Sequence, residues 1–322
     1  MKDRRSRDTP IPAHWTGMAV ACRGERADKY LSETLKLMTR SQLKARNATL
    51  KVNGREEKLS RKLKEGDRLE LSWESTPSQS FDPEDLEVSI LFENSNVIVF
   101  DKAQGMVTHP GAGHWGGTLA NAALFRAKLS LDMESKEALP PRGGIVHRLD
   151  KDTSGVIIVA KNADAHGFLA EQFKQRLAKK EYIAILRGFP APERGRIENY
   201  LGRDKKDRKK FAISEKEGKH ALTDYRILKS WTMGEGSRYC VAALYPRTGR
   251  THQLRIHMAG LGCPILGDPI YGKKDARYPE ATLMLHARRL KIRLPGEEAW
   301  RVFSAPMPGR FKEILAKAGQ SG

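Results

Sequence analysis

Acidic residues, cysteine and long apolar runs are what this chain has least of. Its 39 Asp and Glu are outweighed by 58 Lys and Arg, leaving a net charge of +19 over 322 residues. That balance points to a polyanionic partner, with nucleic acid ahead of a membrane surface. The cysteines, Cys22, Cys240 and Cys263, are odd in number and widely separated. They exclude a disulfide framework or a Cys-rich zinc site and suit a reducing compartment, so the expected location is the cytoplasm. No apolar run approaches the roughly 20 residues that span a bilayer. The basic start, MKDRRSRDTPIP, has no apolar stretch behind it, so no secretory leader is expected.

Within these bounds the chain is long enough for two domains. Residues 1–20, with Pro10 and Pro12 and no periodicity, predict a mobile basic tail. Residues 21–73 predict a small α+β domain. Ala27, Tyr30, Leu31, Leu35 and Met38 fall at near-helical spacing, Ser41 is placed to cap a second short helix, and ATLKVNG and DRLELSW read as strands. Residues 1–72 carry 18 basic and 10 acidic side chains, 18 − 10 = +8 of the total charge, which suits a binding module. Residues 74–87, ESTPSQSFDPEDLE, read as a linker. Residues 88–322 then alternate strands and helices irregularly, which predicts a large α+β domain on a mixed, largely antiparallel sheet. The segments VSILFENSNVIVFDK, GVIIVAKN, EYIAILRG and LMLHARRLKIRL supply strands, ADAHGFLAEQFKQRLAKK and THQLRIHMAGLG helices, and HALTDYRILKSW with YCVAALYP a long hairpin.

Several motifs compete for a functional reading. GAGHWG at 111–116 spells G-x-G-x-x-G, but it follows Thr108-His109-Pro110 and lies in no βαβ unit, so a dinucleotide site is rejected. His109 and His114 lack partners at metal-ligand spacing and are assigned to loop or substrate contact. Asp150, Asp152, Ser154 and Gly155 resemble the start of a calcium loop, yet its twelfth position is Lys161, which repels calcium. No metal is expected. Asp152 is assigned to an Asx-turn leading into GVIIVAK. Asp150, two residues from Arg148, is either a second turn former or an ionised carboxylate available for chemistry. RTGRTHQLRIH at 247–257 gathers Arg247, Arg250, His252, Arg255 and His257 where a helix is expected to start near Thr251. Anion binding or carboxylate pairing by Arg255, and an exposed basic helix, are equally good accounts of that segment alone.

Taken together and in order, HRLDKDTSG with Asp150, KKEYIAILRG with Tyr182, RTGRTHQLRIHMAGLGCPILGDPIYG with Arg255, and LHARRL closely resemble the RluA-type pseudouridine synthases. The resemblance covers about residues 88–306, and the first domain resembles an S4 RNA-binding domain. HPGAG and LGRDKKDRKKFAI look like members acting on large-subunit ribosomal RNA. One departure is Asp101-Lys102-Ala103, where the family usually has Asn-Lys-Pro. It is expected to alter a loop and leave the catalytic motifs untouched.

The resemblance implies an isomerisation needing neither cofactor nor metal. The bond from ribose C1′ to uracil N1 breaks, the base turns over, and C1′ joins C5. Asp150 is implied as the carboxylate that stabilises the sugar, attacks C1′ or removes a C2′ proton. Arg255 is implied as its ion-pair partner, and Tyr182 as the aromatic stacked on uracil that assists loss of the C5 proton. Arg148 is implied to fill the gap left by the flipped nucleotide, while His147 supports the loop. Expected RNA contacts are His109, Arg203, Lys205, Lys206, Arg208, Lys209, Arg250, Lys44 and Arg46. The expected protein is a soluble monomeric RNA uridine isomerase. The alternatives are a uridine isomerase acting on tRNA, or a non-catalytic RNA-binding or ribosome-assembly protein with this fold.

Overall fold

Where the sequence predicts a mobile tail, a strand forms. In the computed structural model, which describes residues 11–22, 24–35, 37–38, 40–75, 82–111, 116–130, 140–204, 207, 210–214 and 218–319, β1 runs over Ile11–Met18. It belongs to the first of two compact units, Met1–Ser80 and Phe81–Gly322.

In that first unit follow α1 (Ala27–Lys29), which widens into a π-turn over Tyr30–Thr34, and α2 (Arg40–Ala45), beginning one residue before the expected cap Ser41. The strands β2 (Thr49–Val52), β3 (Arg55–Glu57) and β4 (Arg68–Ser75) complete a four-stranded antiparallel sheet in the order β1-β4-β2-β3. The tail expectation fails for residues 11–18 because β4 offers a free edge: Ile11 pairs with Ser75 and Met18 with Arg68. Pro12 does not block a strand at a sheet edge, where ladder donors are optional; residues 1–10 of the expected tail lie outside the described residues. The period-2 pattern of β2 and β4 turns Leu50, Val52, Leu69 and Leu71 into a core with Leu31, Leu43 and Leu63. Asn53 and Gly54, at φ 52° and 79°, form the two-residue turn between β2 and β3, where positive φ matches the strand twist.

The second unit contains a ten-stranded sheet. Its elements in chain order are β5 (Ser89–Glu93), β6 (Val97–Lys102), α3 (Leu119–Ser130), β7 (Ser154–Ala160), α4 (Ala163–Lys174), β8 (Lys179–Arg187), β9 (Arg194–Arg203), β10 (Phe211–Ser214), β11 (Lys219–Met233), β12 (Ser237–Pro246), α5 (Gln253–Gly260), β13 (Leu285–Arg293), β14 (Trp300–Ser304) and α6 (Gly309–Gly319). The strand order is β10-β9-β11-β12-β8-β13-β7-β6-β5, with β14 on β13. All described pairings are antiparallel except β13 with β7, so the sheet is mixed and largely antiparallel, as the sequence predicts.

That one parallel junction positions the site. Ala287 of β13 lies opposite Tyr182 of β8 on one side and Gly155 of β7 on the other. A β-carbon on Gly155, at φ 116°, would stand 2.2 Å from the Ala287 carbonyl oxygen, so only glycine allows the strands to meet here. β7 is buried along its whole length, consistent with an unbroken apolar run. The loop carrying Asp150 therefore enters β7 beside Tyr182. Among the described residues no helix is long and apolar enough to cross a membrane.

Candidate active site

The loop Leu149–Asp152 is held by its backbone, and its acidic side chains are left over for other work. The Thr108 hydroxyl donates to the Leu149 carbonyl (2.7 Å), the Gly105 N–H and Lys102 Nζ donate to the Lys151 carbonyl (2.9 and 3.1 Å), and Gln104 Nε2 donates to the Asp152 carbonyl (3.0 Å). The Thr153 N–H closes the turn on the Asp150 carbonyl at 3.0 Å. Among the described residues no backbone N–H reaches the Asp152 carboxylate, so the Asx-turn assigned to Asp152 is not formed. Carbonyl bracing by residues 102–108 replaces it. Nor is the Asp101-Lys102-Ala103 segment remote from catalytic motifs, as the sequence suggested, because Lys102 touches the Asp150 loop directly.

Lys102 is fully buried and also donates to the carbonyls of Ala103 (2.9 Å) and Met106 (2.8 Å). Burial pushes its ammonium down to about 8, against the pull of Asp152 and Asp150. Three carbonyl acceptors nevertheless engage all three protons of the charged form. Lys102→Met is expected to cost about 1–3 kcal/mol for each carbonyl left without a donor. Thermal unfolding measures the loss, and an unchanged midpoint would show the bracing to be unimportant.

Asp150, with its side chain 22 % exposed, opens into a cavity of about 420 Å³ between the 146–153 loop, β8 and the 246–255 segment. Tyr182 lines the same cavity, as do the cations Arg148, Lys174, Arg176, Lys180, Arg247, Arg250 and Arg255. Asp150 is the one carboxylate among the described lining residues. Burial, and next the Asp150 charge, push the Tyr182 phenol up. It stays neutral and serves as an apolar face with a hydroxyl. Burial and the neighbouring Arg250 push Lys180 down to about 8.

Arg255 stands in this cavity but does not pair with Asp150. Its Nε and Nη2 donate to the two carboxylate oxygens of Asp268 at 2.7 and 2.6 Å, both side chains being buried. The predicted Asp150–Arg255 ion pair is thus corrected. Asp268, thirteen residues further along the same motif, folds back to offer both oxygens to the planar guanidinium. Burial pushes the Asp268 carboxyl up, but the Arg255 bonds and charge and the N–H groups of Tyr271 and Ile270 outweigh it and hold it below the usual range. Among the described residues, the basic side chain within 4.0 Å of the Asp150 carboxylate is His252, whose Nε2 lies 4.0 Å from Oδ2.

The helix begins at Gln253, two residues later than expected, because His252 takes a left-handed conformation at φ 55°. Gln253 sets the preceding loop. Its Oε1 accepts from the Thr248 hydroxyl (2.7 Å) and the Arg250 N–H (3.0 Å), and its Nε2 donates to the Leu222 carbonyl and the Thr223 hydroxyl. Arg250 Nε donates to the His220 carbonyl at 2.9 Å, so the exposed-helix account of 247–257 fails. Gln253 and Asp268 were missed as site supports, though both lie inside the motif that carries Arg255.

His147, His257 and His286 are structural and neutral. His147 Nε2 accepts from the Ile158 N–H at 3.1 Å and its ring stacks on Phe173 at 4.4 Å, which is the loop support expected. His257 sits between the Thr223 hydroxyl and Asn199, and His286 bonds the Ser154 hydroxyl. Desolvation pushes His147 down to about 3 and His257 and His286 to about 4. An unfolded chain protonates these rings near pH 6.5 while the folded one does not, so stability falls as pH drops from about 6.5 toward 4. Each ring contributes roughly 1.4 kcal/mol per pH unit. Urea unfolding at pH 7 and 5.5 is expected to show this loss, and equal stability would contradict neutral burial.

Other expected RNA contacts are scattered. His109 Nδ1 lies 3.0 Å from the Pro110 carbonyl oxygen, away from the cavity lining. Arg203 ends β9 with its guanidinium 5.1 Å above the Phe211 ring. Lys44 is exposed at the end of α2, and Arg46 follows it half-buried. Lys205, Lys206, Arg208, Lys209 and His114 lie outside the described residues. Lys161 pairs with Glu93 at 2.9 Å rather than facing a metal, and among the described residues no cluster suited to a metal occurs.

A lone carboxylate ringed by cations beside a neutral tyrosine, at the junction of a mixed sheet, defines a site for anionic substrates whose chemistry turns on one acid. Residues 96–260 match the model of the RNA pseudouridylate synthase family, and the chain belongs to that family. It is an RNA pseudouridine synthase, as the sequence predicts. It is 44 % identical over 298 residues to ribosomal large subunit pseudouridine synthase D of Borreliella burgdorferi, covering 90 % of this chain and 89 % of the relative. It is 38 % identical to an uncharacterised RNA pseudouridine synthase of Aquifex aeolicus, with 91 % and 93 % covered. The structure of human RNA pseudouridylate synthase domain containing 4 superposes with a TM-score of 0.56 at 27 % identity, covering 72 % of this chain and 93 % of that one.

Proposed function

We propose that this enzyme isomerises uridines of large-subunit ribosomal RNA with Asp150 as its catalytic carboxylate. The observation that carries the assignment is that Asp150 is alone among cations in the cavity it shares with Tyr182. Cleavage of the C1′–N1 bond puts positive character on the sugar, which a carboxylate stabilises or captures, while the surrounding Arg and Lys side chains take the phosphates. Tyr182 stacks on the uracil. Arg148, exposed on the cavity rim, enters the stack vacated by the flipped nucleotide, which a planar guanidinium suits. The first unit is read as S4-like, with Lys44 and Arg46 on RNA phosphates. His109, Arg203, Arg250 and the 205–209 lysines and arginine extend the grip. The enzyme acts as a cytoplasmic monomer and needs no cofactor.

Carbodiimide labelling followed by primer extension tests the substrate. Stops are expected in unmodified large-subunit rRNA after incubation, and stops confined to tRNA would move the assignment there. Changing Lys205, Lys206, Arg208 and Lys209 to Ser is expected to flatten the salt dependence of RNA binding by about 0.7–0.9 for each phosphate no longer neutralised. Binding titrations at several salt concentrations measure the slope, and an unaltered slope would remove this segment from the interface.

A further inference from the structure

We propose that His252 is a positioning residue for Asp150, held by Tyr271 as the Nε2–H tautomer so that this N–H faces the Asp150 carboxylate. The inference rests on Asp150 being the catalytic carboxylate.

The tautomer follows from the donors. The Tyr271 hydroxyl oxygen accepts the Phe211 N–H at 3.1 Å, and His252 Nδ1 lies 3.0 Å from the same oxygen. With the phenol's own proton directed at Nδ1, that nitrogen accepts and the imidazole proton sits on Nε2, 4.0 Å from Asp150 Oδ2. The opposite tautomer would crowd two N–H groups onto the phenol oxygen and turn a bare nitrogen lone pair toward a carboxylate. Burial pushes the Tyr271 phenol up, consistent with a protonated hydroxyl donor. The left-handed backbone of His252 aims the ring inward, where it meets the rings of Phe211 and Tyr271 edge-on at 6.3 and 5.6 Å. Such a backbone in a residue other than glycine persists only where its surroundings enforce it.

Tyr271 is itself fixed from behind. Its N–H donates to Asp268 (3.0 Å), and the Arg255 guanidinium lies 5.2 Å over its ring. Arg255 therefore acts on Asp150 through Asp268, Tyr271 and His252 instead of by direct pairing. The charged groups acting on the His252 ring are Asp150, Arg255, Asp268 and Arg148. As substrate closes the cavity, the 4.0 Å gap shortens to a hydrogen bond on Oδ2, which leaves the other oxygen for the sugar.

Imidazole 15N NMR and single-turnover kinetics on large-subunit rRNA test this together. The wild type is expected to show a protonated Nε2 and a bare Nδ1 on His252, and Tyr271→Phe to mix the tautomers. His252→Phe is expected to slow the single-turnover rate about 100-fold, the scale of a misplaced reacting group, with RNA affinity unchanged. His252→Gln, which keeps a donor, should recover part of the rate. A protonated Nδ1 in the wild type, or His252→Phe at the wild-type rate, overturns the proposal, as does equal loss of rate and affinity in the Phe and Gln variants. If wild type turns over no RNA at all, it is the functional assignment that fails, and the tautomer readout still decides the His252–Tyr271 arrangement.

Discussion

Asp150→Asn is expected to lower the rate of uridine isomerisation by about 10⁴-fold or more, the scale seen when a central catalytic group is removed, while leaving RNA affinity unchanged or tighter. The substitution keeps shape and removes charge, so the positive character developing at C1′ loses its one nearby anion in the cavity. Stability should stay within about 0.5 kcal/mol of wild type, because the turn around Asp150 is held through its carbonyls by Thr108, Lys102 and Gln104 rather than by its side chain. Filter binding and single-turnover assays on one preparation separate the two quantities. A variant that lost binding in step with rate would make Asp150 an RNA contact or a fold determinant.

Arg255→Met carries the second large effect. It strands the buried Asp268 carboxylate, and breaking a buried pair from one side costs about 3–5 kcal/mol. The double variant Arg255→Met, Asp268→Asn removes both charges while keeping an acceptor for the Ile270 and Tyr271 N–H groups, so most of the stability should return. Activity should not, since Arg255 also lies in the cavity and shares the field of Asp150. Urea unfolding of the single and double variants measures the coupling. Additive losses would mean that the 2.6 and 2.7 Å hydrogen bonds contribute nothing jointly.

What the sequence made legible was local. The apolar run GVIIVAK became β7 within a residue, and ADAHGFLAEQFKQRLAKK became α4 from its first residue, because periodicity reports which face is buried. The helix nevertheless stops at Lys174, six residues before the expected end, where Arg176 turns left-handed and β8 takes over at Lys179. Asn53-Gly54 marked its hairpin because few other residues accept positive φ twice in succession. The motifs located Asp150, Tyr182 and Arg255, and the fold brings all three to one cavity.

What stayed hidden were choices between partners settled by three-dimensional proximity. Arg255 had two carboxylates to choose from, and Asp268 was read only as part of a motif. Asp152 looked like a turn former because its alternatives, Lys102 and Gln104, lie 50 and 48 residues earlier in the chain. β1 was unreadable beside Pro10 and Pro12 because its existence depends on the edge of β4. The late start of α5 reflects His252 turning its ring toward Asp150, a tertiary demand overriding local preference.

Tritium release from C5-labelled uridine in unmodified large-subunit rRNA, with the mass of the RNA followed in parallel, tests the central claim most directly. The account predicts stoichiometric release at specific uridines with an intact chain and no free uracil, since isomerisation moves a bond without losing the base. Release accompanied by free uracil, or no release by folded protein that binds the RNA, would contradict it.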